Sequence, residues 1–494
     1  MQTPYGIHWF RRDLRIPGNA TLDWLRQHHQ GKVLGFFCFD KKFLSRKDFS
    51  FNRFQFFLES LKSLKKDLRK MGSDLLVLDI GPKEGLEELF RTIKRANIHL
   101  PTTISWSRDY EPFALKRDQN ISSFLKQKGI QTFSSRDHLI IEPHELTKES
   151  NNNEGYKVYT PFYNKWIRVF KDQNIQQRLL FQKKSLSLIQ KLSNGKNPKI
   201  FSLTWRKLLK EHYLFPDHLD NYIKKNKKKV FISIPKAGTT EGFMRLKSFS
   251  SKIKNYTLDR ELPFLKGTSE ISPFLKNGSI STGQVISFFN LNKPDQNLPS
   301  GKLTFLKEII WREFYYHVLY HFPHVEKGAF KASYKNIPWK NNKRFFQAWK
   351  DGMTGFPIVD AGMRQLCQTG WMHNRVRMIV ASFLTKDLLI DWRWGEQYFM
   401  EQLLDGDLAP NNGGWQWAAS TGCDSQPYFR IFNPWSQGKK FDPDAKYIKT
   451  YVPELRALTP KEIHSGKIEH PSYPSPLVDH KEQRKKALEL YKNL

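Results

Sequence analysis

The residues with the greatest chemical potential are concentrated in one stretch of the chain, from Trp371 to Pro434. Two carboxylates, Asp405 and Asp407, precede two adjacent amides, Asn411 and Asn412, within a single short segment. Tryptophans and glycines surround these polar groups, and this combination is typical of a site that holds a flat cofactor with polar edges. The alternative, a tryptophan-rich core with a glycine loop, does not explain why carboxylates and amides share one turn.

A basic side chain and a hydroxyl-rich turn extend this hypothesis. Arg377 can form an ion pair with the Asp405/Asp407 carboxylates beside a cofactor, although the spacing favours a structural salt bridge equally. Thr268, Ser269 and Ser272 form a turn whose hydroxyls and amides can bind a diphosphate. The alternative for this turn is a simple helix cap, which is the commoner role of such residues.

Three tryptophans, Trp339, Trp392 and Trp415, are candidates for electron transfer to a redox cofactor. Aromatic rings with centroids roughly 4.5–7 Å apart pack favourably, and such a series can carry electrons from the surface. The alternative is that they are ordinary core residues. His317 and His321 stand at i, i+4 and can bind a metal, but no HExxH carboxylate accompanies them. An aromatic packing face is favoured there, and we predict no metal site.

The elements that must position these residues differ between the two ends of the chain. Short apolar runs alternate with helical patterns in the first 135 residues, which predicts an α/β domain with a parallel, doubly wound sheet. Residues 136–203 are less regular and are predicted to be a connector with one helix near 164–171. Residues 204–485 are predicted to form an all-helical domain that binds the cofactor. The predicted strands are Tyr5–Phe10, Lys32–Asp40, Asp74–Ile80, Thr103–Trp106 and an edge strand at Gln131–Phe133.

Two predicted helices in the second half present polar residues on a single face. On the helix at 303–322, Glu308, Trp311 and Tyr315 follow i, i+3, i+7 spacing. Arg312 lies one turn beyond Glu308 and can pair with it. The helix at 372–387 places a second set on one face: Asn374, Arg377, Met378 and Ala381.

The charge of the chain indicates a polyanionic partner. The 494 residues contain 81 lysines and arginines against 48 acidic residues, a net charge of +33. Neutralised phosphates release counterions, so this excess favours nucleic acid. A lysine-rich segment, Lys224–Lys229, is predicted to be either a solvated helix end or a phosphate-binding stretch. No apolar run approaches the roughly 20 residues of a spanning helix, and three unpaired cysteines together with the lack of a signal peptide predict a cytoplasmic protein.

The motifs of this chain resemble those of the photolyase/cryptochrome family, most closely its bacterial class I cyclobutane pyrimidine dimer photolyases. The resemblance begins at His8-Trp9-Phe10-Arg11-Arg12-Asp13 and is dense from Ile309 to Phe441, where it includes Trp371-Met-His-Asn-Arg, Asp405-Gly-Asp and Asn411-Asn-Gly-Gly-Trp-Gln-Trp. It implies an α/β domain followed by an all-helical FAD-binding domain. It also implies light-driven repair of UV-damaged DNA by reduced FAD, in a protein expected to be a monomer.

The resemblance also implies a role for each matching residue of this chain. Tyr256 and the Thr268, Ser269 and Ser272 turn match the flavin phosphate site, whereas Arg377, Asp405, Asp407 and Asn411 match contacts to the flavin ring and ribose. Trp392, Trp339 and Trp415 match the photoreduction series, with Trp415 nearest the flavin. Glu308, Trp311, Asn374, Met378 and Trp417 match the pocket for a flipped-out dimer, and Arg260, Arg375 and Arg430 match phosphate contacts.

Two departures from the family pattern affect the cofactors. Glu270 occupies a position in the flavin-phosphate turn that is often basic, which predicts a different contact there. Phe113 and Ala114 replace the Asn-Glu pair of folate-antenna members, so a second chromophore of another kind, or none, is expected. The alternatives for function are a cryptochrome-type light receptor, a (6-4) photolyase, a DASH-type member and a basic DNA-binding protein without photochemistry.

Overall fold

Five short strands form one parallel sheet near the amino terminus of the computed structural model, which describes residues 4–147, 154–293 and 298–492. The strand order is β3-β2-β1-β4-β5, so the direction of winding reverses between β1 and β4. The predicted doubly wound parallel sheet is therefore confirmed. The strands are β1 Gly6–Trp9, β2 Val33–Cys38, β3 Leu75–Leu78, β4 Thr103–Ser107 and β5 Gln131–Ser135.

Alternation along the buried strands supplies the two faces of the sheet. In β2, Leu34 and Phe36 belong to the apolar cluster on one face, whereas Val33 and Phe37 belong to the cluster on the other. Successive side chains of a strand point to opposite faces, and a sheet covered by helices on both sides buries both sets. All six residues of β2 are buried, as this arrangement requires.

Helices make up most of the remaining described structure. One π-helical turn, Phe383–Asp387, continues the end of α17. The helices are α1 Ala20–His28, α2 Lys41–Leu44, α3 Phe51–Lys70, α4 Pro82–Arg95, α5 Pro112–Gln127, α6 Tyr159–Phe170, α7 Gln173–Ser193, α8 Trp205–Leu209, α9 His218–Lys227, α10 Thr239–Phe249, α11 Tyr256–Asp259, α12 Ser272–Asn277, α13 Thr282–Phe288, α14 Ser300–His321, α15 Lys343–Asp351, α16 Pro357–Thr369, α17 Asn374–Ser382, α18 Trp392–Gln402, α19 Leu408–Ala418, α20 Pro434–Phe441, α21 Lys446–Tyr451, α22 Pro460–Ile463 and α23 His480–Lys492.

The chain forms two compact units that do not follow simple cuts in sequence. The first unit comprises Met1–Leu146, Asn164–Ser251 and Ser269–Leu298. The second unit comprises Thr147–Tyr163, Lys252–Thr268 and Pro299–Leu494. This division differs from the predicted segments 1–135, 136–203 and 204–485, because several helices beyond residue 203 pack with the first unit.

The predicted irregular connector is wrong for residues 173–193, which form the 21-residue helix α7. Part of its packing against α13 is polar. Gln284 Nε2 donates to Ser185 Oγ at 3.0 Å, and Ser287 Oγ donates to the Leu179 carbonyl at 3.0 Å. Polar residues such as Ser185 share the buried face of α7 with Ile175, Leu179 and Ile189. They interrupt the apolar pattern on which the prediction depended.

The second unit is organised around one apolar cluster that includes α16, α17 and α19. Val359, Val376 and Val380 lie inside it. Gly362 lets α16 approach α17 closely, because a Cβ at this position would lie 2.4 Å from Val376. In the part of the chain that the structure describes, no helix is long and apolar enough to cross a membrane.

Candidate functional site

The face of α14 that carries Glu308, Trp311 and Tyr315 includes an aromatic stack that the sequence did not predict. The Trp311 ring lies parallel to the Tyr159 ring, with centroids 3.6 Å apart and an angle of 4° between the planes. Tyr315, one turn further along α14, is 5.7 Å from Trp311. The predicted common face of α14 is therefore formed, and one side of the Trp311 indole is covered by Tyr159.

Tyr159 is held in place through both its backbone and its side chain. Its backbone N–H donates to the Asp424 carboxylate at 3.0 Å, and its hydroxyl donates to the Lys307 carbonyl at 3.2 Å. Burial is the main cause that raises the pKa of Tyr159, and the nearby Glu308 carboxylate raises this pKa further. The phenol therefore stays protonated. The signal in the sequence was the aromatic run from Tyr156 to Tyr163, which composition alone could not assign to this site.

Two ion pairs connect α14 to α17 through the segment after α11. Arg260 Nη1 donates to Glu308 at 2.5 Å, and the neighbouring Glu261 pairs with Arg375. Burial opposes the charge on Arg260, but the Glu308 carboxylate outweighs this and raises the pKa of the guanidinium. The sequence predicted Arg312 as a partner of Glu308, whereas the structure places Arg260 there. Glu308 and two predicted phosphate-binding arginines thus belong to one cluster of charges.

Asn374 and Met378 lie on one face of α17, one turn apart, as predicted. Asn374 Nδ2 is 3.9 Å from Met378 Sδ, and Arg375 Nη1 is also 3.9 Å from that sulfur. Asn374 is exposed and Met378 is half-buried. Because Arg375 also pairs with Glu261, the α17 face is continuous with the charged cluster around Glu308.

Arg377 forms the predicted ion pair with Asp405. The guanidinium Nη2 lies 3.1 Å and 3.0 Å from the two carboxylate oxygens, and Nε donates to the Met372 carbonyl at 2.8 Å. The Asp405 side chain is 5% exposed, against 25% for Arg377. A charge-assisted contact of this kind fixes the orientation of a guanidinium, and the partly exposed edge of Arg377 stays accessible to a ligand.

Asp407 and Asn411 are positioned by the start of α19. Both Asp407 oxygens lie 2.6 Å from the Tyr316 hydroxyl, which donates to this carboxylate. Asn411 N–H donates to the Asp407 carbonyl at 2.9 Å, and Asn411 Nδ2 donates to the Glu396 carbonyl at 3.1 Å. The amide and carboxylate groups that the sequence placed in one turn are therefore held by separate hydrogen bonds to α14 and α18.

The second unit has the features that a bound flavin needs. His373 Nε2, at the start of α17, is a buried nitrogen with no partner among residues 4–147, 154–293 and 298–492. The Arg377 guanidinium and the carboxylates of Asp405 and Asp407 add hydrogen-bond donors and acceptors, which the polar edge of a flavin ring needs. The residues present fit the predicted flavin.

Trp415 is buried within an aromatic cluster of the second unit. Its ring meets Phe399 edge to face at 4.9 Å and Trp349 at 6.1 Å. A Cβ on Gly395 would lie 2.2 Å from the Trp415 ring, so only glycine allows α18 to approach it. The sequence did not single out Trp349, which is fully buried and donates its indole N–H to the Val380 carbonyl at 3.1 Å.

The other two tryptophans of the predicted series lie in different surroundings of the same unit. Trp392 is buried at the start of α18, with the Arg393 guanidinium 5.5 Å from its ring centroid. Trp339 is partly buried, and its ring is 6.3 Å from Tyr491 on α23. A relay through Trp339, Trp392 and Trp415 stays a prediction.

The remaining predicted DNA and substrate residues are dispersed along the second unit. Trp417 is half-buried, with its ring 6.4 Å from Phe432, and Arg430 is exposed. His317, the first of the two histidines considered for a metal, packs edge to face against Phe162 at 4.9 Å. The predicted aromatic packing is therefore formed there.

The predicted flavin-phosphate residues lie at a boundary between the units in sequence. Tyr256 is buried, with its ring 5.3 Å from Phe305. Thr268 is the last residue of its segment in the second unit, and Ser269 and Ser272 begin a segment of the first. Their role at a diphosphate stays a prediction.

The unexpected acid in this turn has a basic partner. Within the first unit, the Glu270 carboxylate accepts a hydrogen bond from Arg245 Nη1. Both side chains are 39% exposed. Because Arg245 offsets the negative charge, the turn is less hostile to an anion than its sequence indicated.

Comparison with known proteins assigns the family. Residues 305–493 match a family described as the FAD binding domain of DNA photolyase, and residues 6–179 match one described as DNA photolyase. A protein of Synechococcus sp. named "Deoxyribodipyrimidine photo-lyase" is 37% identical, over 99% of this chain and 96% of that protein. The chain belongs to the DNA photolyase family.

Solved photolyase structures share the fold over the full chain. A bacterial class III photolyase from Agrobacterium tumefaciens is 33% identical, with a TM-score of 0.81, and covers 100% of this chain and 98% of its own. An archaeal photolyase from Sulfolobus tokodaii with two FAD molecules is 33% identical, with a TM-score of 0.77, and covers 99% and 100%. The predicted photolyase family and FAD-binding domain are confirmed, whereas membership of class I stays a prediction.

His373 makes the stability of this photolyase fold dependent on pH. Burial, followed by the nearby Arg377 charge, lowers its pKa from 6.5 to about 4. The unfolded chain therefore binds more protons than the folded chain between these values, so stability falls as the pH drops below about 6.5. The titration of His373 is expected to lower the free energy of unfolding by about 2 kcal/mol between pH 7 and pH 5.

A His373→Asn variant separates this titration from those of other groups. His373 Nδ1 accepts from the Arg375 N–H at 3.2 Å and caps α17, and asparagine keeps a capping oxygen without a titrating ring. We expect the unfolding free energy of the variant to fall less than that of the wild type between pH 7 and pH 5. Parallel curves would exclude His373 as the titrating group.

Proposed function

We propose that this protein is a light-driven DNA repair enzyme that splits cyclobutane pyrimidine dimers. The observation that carries the proposal is the continuous face formed by α14, α17 and the segment after α11. On this face, two ion pairs connect the helix of Trp311 to the Asn374–Met378 pair: Glu308 with Arg260, and Glu261 with Arg375. This face offers an aromatic surface, a carboxylate and cations, which are the groups that a damaged dinucleotide with flanking phosphates requires.

The flavin would be held by the ion-paired and amide groups of the second unit. Arg377, Asp405 and Asp407 would contact the flavin ring and the ribose, and Asn411 would face the flavin nitrogen N5. Reduced FAD, when bound, supplies the excited-state electron that opens the dimer. Asn411 has a neutral amide, and its fixed hydrogen bond to Glu396 keeps that amide oriented without adding negative charge.

Substrate binding would rearrange contacts that are already satisfied. Trp311 would stack on the dimer with the side of its ring that Tyr159 does not cover, or Tyr159 would move aside. Arg260 and Arg375 would exchange carboxylate partners for DNA phosphates, which frees Glu308 to hydrogen-bond the dimer. A hydrogen bond aimed at charge as it develops stabilises the transition state.

The α17 face favours cyclobutane dimers over (6-4) products. Repair of a (6-4) product needs a proton donor for the leaving hydroxyl, a role suited to histidine. Asn374 and Met378 cannot supply that proton, and the nearby His373 has a pKa lowered to about 4, so its ring is neutral at physiological pH. Ring opening of a cyclobutane dimer needs only electron transfer and bond scission.

We further propose that the enzyme acts as a cytoplasmic monomer on chromosomal DNA, with any antenna chromophore being other than a folate. The net charge of +33 supports the choice of partner. The Phe113 side chain is 46% exposed and Ala114 is buried where folate-binding members have Asn-Glu. The Sulfolobus relative contains a second FAD, which makes a flavin one candidate for the antenna.

Removing the Trp311 ring is expected to weaken binding of damaged DNA. Trp311→Ala should cost roughly the 1–3 kcal/mol of one base–aromatic stacking contact, measured by titration of a dimer-containing oligonucleotide in the dark. Tyr320→Ala is a control, because Tyr320 lies on α14 but is not among the predicted substrate residues. Equal affinities for Trp311→Ala and wild type would exclude Trp311 from the substrate face.

The proposed activity is tested by flavin content and light dependence together. The purified protein is expected to release about one FAD per chain on denaturation. After reduction, it should restore a dimer-containing oligonucleotide in the light and leave it unchanged in the dark. Repair in the dark, or no repair after reconstitution with reduced FAD, would overturn the proposal.

A further inference from the structure

A patch of exposed aromatic rings and lysines lies in the first unit. It consists of Phe43, Phe51 and Phe231 with the lysines around them, and we call it the basic aromatic patch. Phe231 is 94% exposed, Phe43 46% and Phe51 40%. The accompanying exposed lysines are Lys41, Lys42, Lys47, Lys224, Lys225, Lys227, Lys228 and Lys229.

Direct contacts join Phe43, Phe51 and Lys229 within the patch. Phe49 is 6.4 Å from Phe43 and 5.3 Å from Phe51, edge to face in both cases. The Lys229 ammonium lies 4.7 Å from the centroid of the Phe51 ring. Asn226, near the end of α9, donates to the Phe51 carbonyl at 2.9 Å, which fixes the lysine-rich end of α9 against the start of α3. Lys229 is followed two residues later by Phe231.

Two acidic residues lie in or next to the Phe43–Phe51 segment, and both already accept hydrogen bonds. Asp40 caps α2 by accepting from the Lys42 N–H at 2.9 Å. Both oxygens of Asp48 accept from Arg46 at 2.8 Å. Burial acts against the charged form of Asp48, but the hydrogen bond from Arg46 outweighs it and lowers the pKa of that carboxyl. The patch therefore keeps a large positive excess.

Helix capping explains only part of the lysine run. Lysines in the last turn of α9 interact favourably with the helix dipole. Lys228 and Lys229 lie beyond the helix, and the dipole gives no reason to expose the whole ring of Phe231 next to them. Exposed aromatic rings grouped in one patch among cations, rather than scattered singly, indicate a surface that is covered by a partner.

The chemistry of the patch selects single-stranded nucleic acid as that partner. Lysines neutralise phosphates, and separate exposed rings stack on unpaired bases. A membrane-binding helix would present a continuous apolar stripe, but the apolar residues of α9, Leu219 and Ile223, are buried in the core of the first unit. We propose that the basic aromatic patch binds single-stranded nucleic acid, independently of lesion repair.

The test uses the full-length flavoprotein and an undamaged oligothymidine in the dark, so that it does not depend on repair. One variant is the triple substitution Lys227→Gln, Lys228→Gln and Lys229→Gln. Its matched control removes the same charge from exposed lysines elsewhere in the first unit, by Lys94→Gln, Lys116→Gln and Lys126→Gln. All these side chains are exposed, so neither variant should disturb folding.

The patch variant should show a smaller dependence of binding on salt than the control. Each lost phosphate contact makes the slope of log K against log salt shallower by about 0.7 for single strands. The loss of three contacts therefore makes it shallower by about 2. Phe231→Ala should weaken binding by roughly five- to a hundredfold with an unchanged slope, because stacking carries no charge. Light-driven repair of a dimer in a short duplex should be the same in all variants.

Other results would overturn the proposal. Equal binding curves for the patch variant and the control would mean that the lysines act only through net charge. If the patch variant loses affinity for anionic phosphatidylserine vesicles but still binds oligothymidine like the control, the patch is a membrane-binding surface instead. Absent repair in wild type would count against the proposed function alone, since oligothymidine binding is measured without light.

Discussion

Replacing Trp415 with phenylalanine is expected to abolish light-driven reduction of oxidised flavin while leaving repair intact after chemical reduction. Trp415 is 2% exposed and packs against Phe399 and Trp349. Phenylalanine preserves the apolar packing of this site but lacks the readily oxidised indole. The measurement is the rate of flavin bleaching under blue light with an external reductant, followed by a repair assay on dithionite-reduced protein.

Trp349 provides the matched control for this experiment. It belongs to the same cluster, its ring is 6.1 Å from Trp415, and its replacement by phenylalanine is the same chemical change. Trp349→Phe should keep most of the photoreduction rate. If Trp349→Phe stops photoreduction and Trp415→Phe does not, Trp349 is the proximal donor. Loss of repair by reduced Trp415→Phe would show that the substitution damages the site itself.

Breaking the Arg377–Asp405 pair is expected to cause the largest loss of flavin. In Asp405→Asn, the half-buried guanidinium loses its counter-charge and its fixed orientation. Removal of one partner of a partly buried pair costs on the order of 2–3 kcal/mol after allowance for solvent exposure. Because the released Arg377 also loses the orientation in which it would contact the flavin, we expect FAD affinity to fall by roughly thirtyfold or more, measured by fluorescence titration of the apoprotein.

A second ion pair of the same unit separates flavin binding from general stability. Arg364 and Glu454 are each 16% exposed and lie 2.8 Å apart, and neither is among the predicted flavin residues. Glu454→Gln should lower the unfolding free energy by a comparable amount and keep FAD affinity. A similar loss of FAD in both variants would mean that Asp405 acts only through folding.

The sequence predicted best those features that depend on local pattern. Short apolar runs that alternate with helical patterns predicted the sheet. The Arg377–Asp405 ion pair was predictable because both residues lie in the densest polar segment of the chain. Asn374 and Met378 share a face because α17 imposes the periodicity of a helix. Each of these inferences needs only neighbours in sequence or two groups of opposite charge in one stretch.

The features that the sequence did not predict depend on contacts between distant segments. Tyr159 meets Trp311 from a separate part of the chain, and nothing in the spacing of either residue selects the other. Helical spacing offered only Arg312 as a partner of Glu308, whereas tertiary packing brings Arg260 to that carboxylate. Trp349 was missed because an isolated tryptophan carries no pattern.

The most direct test of the central claim compares two lesions under the same light. Reduced protein is illuminated with one oligonucleotide that contains a cyclobutane dimer and another that contains a (6-4) product, and restored bases are measured by chromatography. We expect the cyclobutane dimer to be split and the (6-4) product to persist, because Asn374 and Met378 provide no proton donor. Repair of the (6-4) product, or of neither lesion by protein with a full complement of reduced FAD, would contradict the account.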